Sequence, residues 1–183
     1  DITDIIRFAQ DPTDGTLFET LYYKLGAGIS KALAREAIAW AQREGETLLG
    51  YIAASPAASP WTKKQCKALQ THLQNLLNEP ADKAVYRIVH YMGYGAYLEE
   101  RGSDASKADI LEALGTQEPT PGRLLERLEE LRAVVQRGST DEDCPFVLST
   151  IHSSKGLEYE RVILMDVADG LFPKSLPDEG ATE

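Results

Sequence analysis

Apolar side chains return every three or four residues over roughly the first 140 positions, in short runs broken by glycine, proline and acidic turns. Ile2, Ile5, Ile6 and Ala9 share one helical face until Asp11-Pro12-Thr13-Asp14-Gly15 turns the chain. Thr16 and Glu19 have the spacing of a capping box ahead of Leu17, Leu21 and Leu25, with Gly26 as the stop. Ser30 predicts an N-cap for a helix over Lys31–Arg43 that buries Leu33, Ala37, Ile38 and Ala41 and closes at Gly45. A short apolar segment, Leu48–Ile52, leads into the loop Ser55–Pro60. Thr62 and Gln65 predict a second capping box, with Trp61 and Cys66 as its hydrophobic staple and Leu69, Leu73, Leu76 and Leu77 as its buried face. Val85, Ile88, Val89 and Met92 mark a further helix, Ser106–Leu114 another. Thr120 followed by Pro121 opens a last long one with the stripe Leu124, Leu125, Leu128, Leu131 and Val135.

The pattern changes after Gly138. An acidic linker, Ser139–Asp143, precedes two short runs rich in β-branched residues, Phe146–Thr150 and Arg161–Asp166, which read as buried strands. The expected fold is therefore mainly α, a helical domain followed by a small C-terminal α/β strand–loop–strand segment, with the boundary at residues 143 and 144. The polar first and last residues, with no initiating methionine, lead us to expect a piece of a longer protein.

Composition narrows the functional classes. The 183 residues carry 19 basic and 29 acidic side chains, a net charge of −10, so any contact with nucleic acid has to be local rather than driven by the overall field. No run approaches the roughly 20 apolar residues of a membrane span, so no membrane partner is expected. Cys66 and Cys144, far apart and outside any Cys-x-x-Cys spacing, read as two reduced thiols of a cytoplasmic protein without a zinc site.

Chemistry concentrates between the two apolar runs, in Thr150-Ile151-His152-Ser153-Ser154-Lys155-Gly156-Leu157-Glu158. Hydroxyls, an ammonium and a glycine in one loop suit a phosphate-bearing ligand; the plain alternative is a polar loop facing water. Val162–Asp166 has the look of a strand ending in a magnesium-binding aspartate, but the G-x-x-x-x-G-K-[ST] loop that such a site serves is missing from the sequence. Asp166 therefore reads as a strand-end residue, and no metal site or catalytic residue is expected. His72 and His90 read as ordinary helix residues. Tyr91, Tyr94 and Tyr97 suit base stacking or domain packing. Lys63, Lys64 and Lys67 form the one compact basic cluster, able to follow a DNA backbone beside Trp61 or to serve as a solvated helix face.

Thr150-x-His152-x-x-Lys155-Gly156-Leu157-Glu158-Tyr159, then Val162 and Gly170-x-Phe172-Pro173, resembles motif V of the UvrD/Rep family of ATP-dependent DNA helicases. Asp1-Ile2-Thr3-Asp4 with Asp11-Pro12-x-Asp14, Tyr94-x-x-x-Leu98 and the late leucine-rich helix are similar to that family's helical 2B domain. The resemblance implies that residues 1–143 are a 2B-type accessory domain and that 144–183 return to the RecA-like 2A domain. Such enzymes move 3′ to 5′ along single-stranded DNA at the expense of ATP, with Mg2+.

By the same resemblance, Thr150 and His152 contact the single strand, Lys155 and Gly156 shape the nucleotide-facing loop, and Glu158 accepts a hydrogen bond from the ATP ribose. Gly28 and Ser30 correspond to an element of the family that touches duplex DNA. Here the stretch Ala27-Gly28-Ile29-Ser30 lacks that element's arginine and last glycine, and Ser30 serves equally well as a helix cap. The implied partners are single-stranded and junction DNA, the remaining helicase domains, and regulatory proteins. Without a P-loop the chain alone is expected to be inactive. A protein-interaction or autoinhibitory module, and the helicase part of a recombination helicase–nuclease, are the other readings.

Overall fold

The computed structural model describes residues 1–137 and 146–165. Among these the ordered elements are all helical: α1 Ile2–Gln10, α2 Gly15–Leu21, α3 Lys31–Glu44, α4 Leu48–Ala54, α5 Pro60–Leu76, α6 Ala81–Tyr91, α7 Tyr94–Glu100, α8 Ser106–Gly115 and α9 Pro121–Arg137. The chain divides into two compact units, Asp1–Ser139 and Thr140–Glu183.

Local signals place the helix starts, though not always through the residue the spacing favours. Ser30 caps α3 by accepting from the Leu33 amide at 3.2 Å, and Gly45 ends that helix, as its sequence predicts. In α2 the cap is Asp14, which accepts from the Thr16 and Leu17 amides at 2.8 and 3.0 Å; the carboxylate two residues earlier outcompetes the Thr16 hydroxyl. In α5 the cap is Ser59, with Pro60 at the first helical position, and Thr62 is the residue whose amide it satisfies at 3.0 Å. The expected staple does not form: Cys66 is fully buried, but Trp61 is 54% exposed.

Helices α1, α5 and α6 meet around the core of the first unit. α4 packs between α3 and α5, and α8 and α9 close over α6. Ile5, Ile6, Phe8, Phe18, Leu76 and Ile88 are among the side chains sealed from solvent there. At about 25 cal/mol per Å2 of apolar surface removed from water, each such side chain contributes roughly 1.5–3 kcal/mol. Polar ties fix the loops: Leu48 N donates to Pro12 O at 3.1 Å, Ala81 N to Glu118 O at 3.3 Å, and Arg7 spans from α1 to Glu129 of α9 at 3.1 Å. Lys24, almost wholly buried, is neutralised by Asp1 at 2.8 Å. Along α9 the predicted stripe is buried only in its first half. Leu124 and Leu125 are inside, whereas Val135 is 79% exposed.

The expectation of an α/β strand–loop–strand segment is corrected. Neither Phe146–Thr150 nor Arg161–Met165 is a strand, and no β-strand occurs among the described residues; Asp166 lies outside them. β-branched composition favours extended backbone, but a strand exists only by pairing. Neither run is assigned to a β-ladder among the described residues, and Leu148 is 91% exposed. The acidic linker Ser139–Asp143, Cys144, and Gly170, Phe172 and Pro173 of the motif also lie outside the described residues.

Candidate nucleic-acid interface

The segment from Thr150 to Glu158 folds into a capped turn. The Thr150 hydroxyl accepts from the Ser153 amide at 3.1 Å and pairs with the Ser153 hydroxyl at 2.8 Å, while Thr150 O accepts from Ser154 N at 3.0 Å. Lys155 N reaches His152 O at 3.4 Å, Leu157 N reaches Ser154 O at 3.0 Å, and Gly156 leaves the turn at φ +82°, a left-handed conformation that other residues adopt at a cost. The threonine and serines of this stretch thus bond within the turn itself. The side chains of His152, Lys155 and Glu158 are left exposed, and none of them is hydrogen-bonded or ion-paired among the described residues. An imidazole, an ammonium and a carboxylate displayed on one short turn can donate to phosphate and accept from a hydroxyl.

Gly28 and Ser30 lie in the first unit, on the loop between α2 and α3. Ser30 spends its hydroxyl on the α3 cap. Gly28, at φ +60°, lies beneath the indole of Trp61, and Thr62 Oγ1 makes a long contact of 3.5 Å to its carbonyl oxygen. The structure therefore brings together two features that the sequence holds thirty residues apart: the Gly28–Ser30 loop and the basic start of α5.

Charge is distributed unevenly across these helices. The arginines Arg123, Arg127 and Arg132 of α9 each pair with a glutamate, as does Arg87 of α6. By contrast Lys31 and Arg35 of α3 and Lys63, Lys64 and Lys67 of α5 have no ion-pair partner among the described residues. In a chain of net charge −10, cations without a carboxylate partner thus stand along the starts of α3 and α5.

One group of side chains escapes sequence reasoning. Arg87 donates through Nε to Glu79 at 2.8 Å and through Nη2 to the same carboxylate, and its Nη1 lies 3.0 Å from His72 Nδ1. Because guanidinium only donates, His72 accepts there and is the neutral imidazole; burial first, and the Arg87 charge second, hold it below the usual histidine range. The His72 ring stacks near Tyr91, with 6.3 Å between centroids and 13° between planes. Tyr86 stands 4.1 Å from His90 and 6.0 Å from Tyr91. The signal available in the sequence was the run of Tyr86, Arg87, His90 and Tyr91 interleaved with the buried Ala84, Val85 and Ile88 of α6. Of the tyrosines singled out by spacing, Tyr94 is buried and Tyr97 half-buried, whereas Tyr91 is exposed.

Among the described residues no three or more histidine, cysteine, aspartate or glutamate side chains gather into a group able to hold a metal ion. Nor is any helix among them long and apolar enough to cross a membrane.

Residues 103–182 match the family model of the UvrD-like helicase C-terminal domain, so the C-terminal region of the chain is a UvrD-like helicase-related domain. Over 142 residues, 74% of its length, the chain is 25% identical to the Bacillus subtilis (strain 168) protein named "Putative ATP-dependent DNA helicase YjcD". It spans only 18% of that relative. No solved structure matches the chain.

Proposed function

We propose that this chain is part of an ATP-dependent 3′-to-5′ DNA helicase of the UvrD/Rep type, supplying its helical accessory domain and the turn through which the motor senses both DNA and nucleotide. In this reading residues 1–143 are the accessory domain and residues 144–183 lead back into the second motor domain. The observation that carries it is the match of residues 103–182 to the UvrD-like helicase C-terminal domain, a span that includes the whole Thr150–Glu158 turn. The name of the Bacillus subtilis relative points the same way.

Within the turn, His152 reaches the single strand and Thr150 holds the backbone that presents it. Gly156 ends the turn so that Lys155 stands near phosphate and Glu158 accepts from the ribose hydroxyl. A turn that meets both ligands couples nucleotide state to strand grip. The starts of α3 and α5, with Gly28, Ser30 and the unpaired lysines, face the phosphates of the duplex at the junction. ATP and Mg2+ belong to the intact motor. The 183 residues hold no phosphate-binding loop, so by themselves they hydrolyse no ATP.

Fluorescence anisotropy with a forked DNA at low salt tests this reading. Micromolar or weaker binding that falls steeply with salt supports it. Replacing Lys63, Lys64 and Lys67 by alanine should flatten the salt slope by about two to three. A folded chain that binds neither forked nor single-stranded DNA at low salt would falsify it.

A further inference from the structure

The outer faces of α5 and α6 carry large hydrophobic side chains in the open, and all of them are aromatic: Trp61, Tyr86 and Tyr91, with Tyr91 61% and Tyr86 40% exposed. None is needed by the core, which α6 serves with Ala81, Ala84, Val85 and Ile88. We propose that Tyr86, His90 and Tyr91 of α6, with His72 of α5, form a stacking surface for the unpaired bases of single-stranded DNA. The proposal rests on the reading of the chain as a DNA-handling domain and adds to it a second contact, separate from the Thr150–Glu158 turn.

Three observations favour bases over a protein partner. The exposed side chains offer flat π faces with polar rims, and no leucine, isoleucine, valine or methionine of α5 or α6 is among the exposed large hydrophobics that an apolar helix would seek. The rings are held in advance, since Arg87 is clamped by Glu79 and steadies His72, which lies nearly parallel to Tyr91. Cations lie along the same route: Trp61, Lys64 and His72 fall on one flank of α5 at helical spacing, about 16 Å from end to end, with Lys67 one turn beyond Lys64. The carboxylates of the region, Glu79 and Asp82, are each paired with a cation, Arg87 and Lys83. Phosphates would follow the lysines while bases lie on the rings, the arrangement by which single strands are held without sequence preference.

The test uses the 183-residue chain with a labelled oligo-dT and, separately, a blunt duplex of equal length. Tyr91→Ala and Tyr86→Ala should each weaken oligo-dT binding about tenfold and leave duplex binding within about twofold; Tyr91→Phe, which keeps the ring, should behave as the parent. Thermal unfolding should be unchanged because both rings are exposed. If Tyr91→Ala does not fold, Tyr91→Leu keeps the bulk without the ring face and is expected to show the same loss. A folded double variant that binds oligo-dT as tightly as the parent overturns the stacking surface, and if it instead loses a protein complex the rings belong to protein docking. With duplex binding intact, that failure leaves the helicase reading standing. Loss of binding to both DNAs in the parent chain removes both.

Discussion

The indole of Trp61 covers Gly28 so closely that a Cβ on Gly28 would stand 2.6 Å from Trp61 Cζ3. Gly28→Ala therefore faces two penalties, the left-handed backbone at φ +60° and the ring above it. Because the indole is half in solvent it can swing away, so the expected loss is about 1–2 kcal/mol rather than that of a rigid core clash. Urea unfolding of a double-mutant cycle with Trp61→Ala separates the two: the steric part should vanish in the double variant and the backbone part should persist.

Ser30 caps α3, and the phosphate contact proposed for the same residue makes a different demand on it. Ser30→Ala removes the bond to the Leu33 amide and should cost about 1 kcal/mol. Ser30→Asp keeps a cap of equal quality but adds a negative charge between Lys31 and the start of α5. Stability should then match the parent while affinity for forked DNA at low salt drops by roughly three- to tenfold. Unchanged DNA binding in Ser30→Asp would leave Ser30 a cap and nothing more.

The helical part of the fold was legible because its signals are local. Ser30, Gly45 and the Thr120-Pro121 pair act on neighbouring residues, and the structure uses them as read. The misses share a cause. Thr16 and Thr62 had the right spacing for caps but lost to Asp14 and Ser59, two and three residues earlier, which accept from the Thr16 and Thr62 amides themselves. Phe146–Thr150 and Arg161–Met165 had strand composition, yet pairing is decided by what lies alongside, and a run of residues does not encode that. In the candidate interface the motif residues of the turn were visible as a string. The pairing of Gly28 with Trp61, and of Arg87 with His72, depends on how α3, α5 and α6 pack and has no trace at fixed spacing.

His72 makes stability depend on pH. Burial and then the neighbouring Arg87 hold its imidazole below the ordinary value of 6.5. As pH falls the unfolded chain takes up the proton first, so the folded state loses stability from about pH 6.5 downward until its own depressed value is passed, and keeps the full contribution above 6.5. A proton on His72 would also set a cation 3.0 Å from Arg87 Nη1, where an acceptor now sits. Urea midpoints should fall between pH 7.5 and 5.5 more steeply in the parent than in His72→Gln, whose carbonyl can still accept from Arg87 and does not titrate. Parallel curves for the two proteins would show that the imidazole carries none of the dependence.

The turn from Thr150 to Glu158 should separate scaffold from display. Thr150→Val keeps the shape of the side chain but deprives the Ser153 amide of its partner at 3.1 Å, and Gly156→Ala strains the backbone at φ +82° while meeting no neighbouring atom within 4 Å. Each should loosen the turn by about 1 kcal/mol, read as several-fold faster exchange of the Ser153 and Ser154 amides. Thr150→Ser should restore protection because it returns the hydroxyl. Glu158→Gln, in contrast, should leave amide exchange as it is, since no hydrogen bond of the turn involves that carboxylate among the described residues. Under the proposed helicase reading, the two classes diverge in the full-length protein. The scaffold variants weaken single-strand affinity and ATP use together, whereas Glu158→Gln raises the KM for ATP and narrows its advantage over an analogue lacking the ribose hydroxyls, with single-strand affinity preserved in the absence of nucleotide. Equal losses of strand binding in all of these variants would mean that Glu158 faces DNA rather than the sugar of ATP.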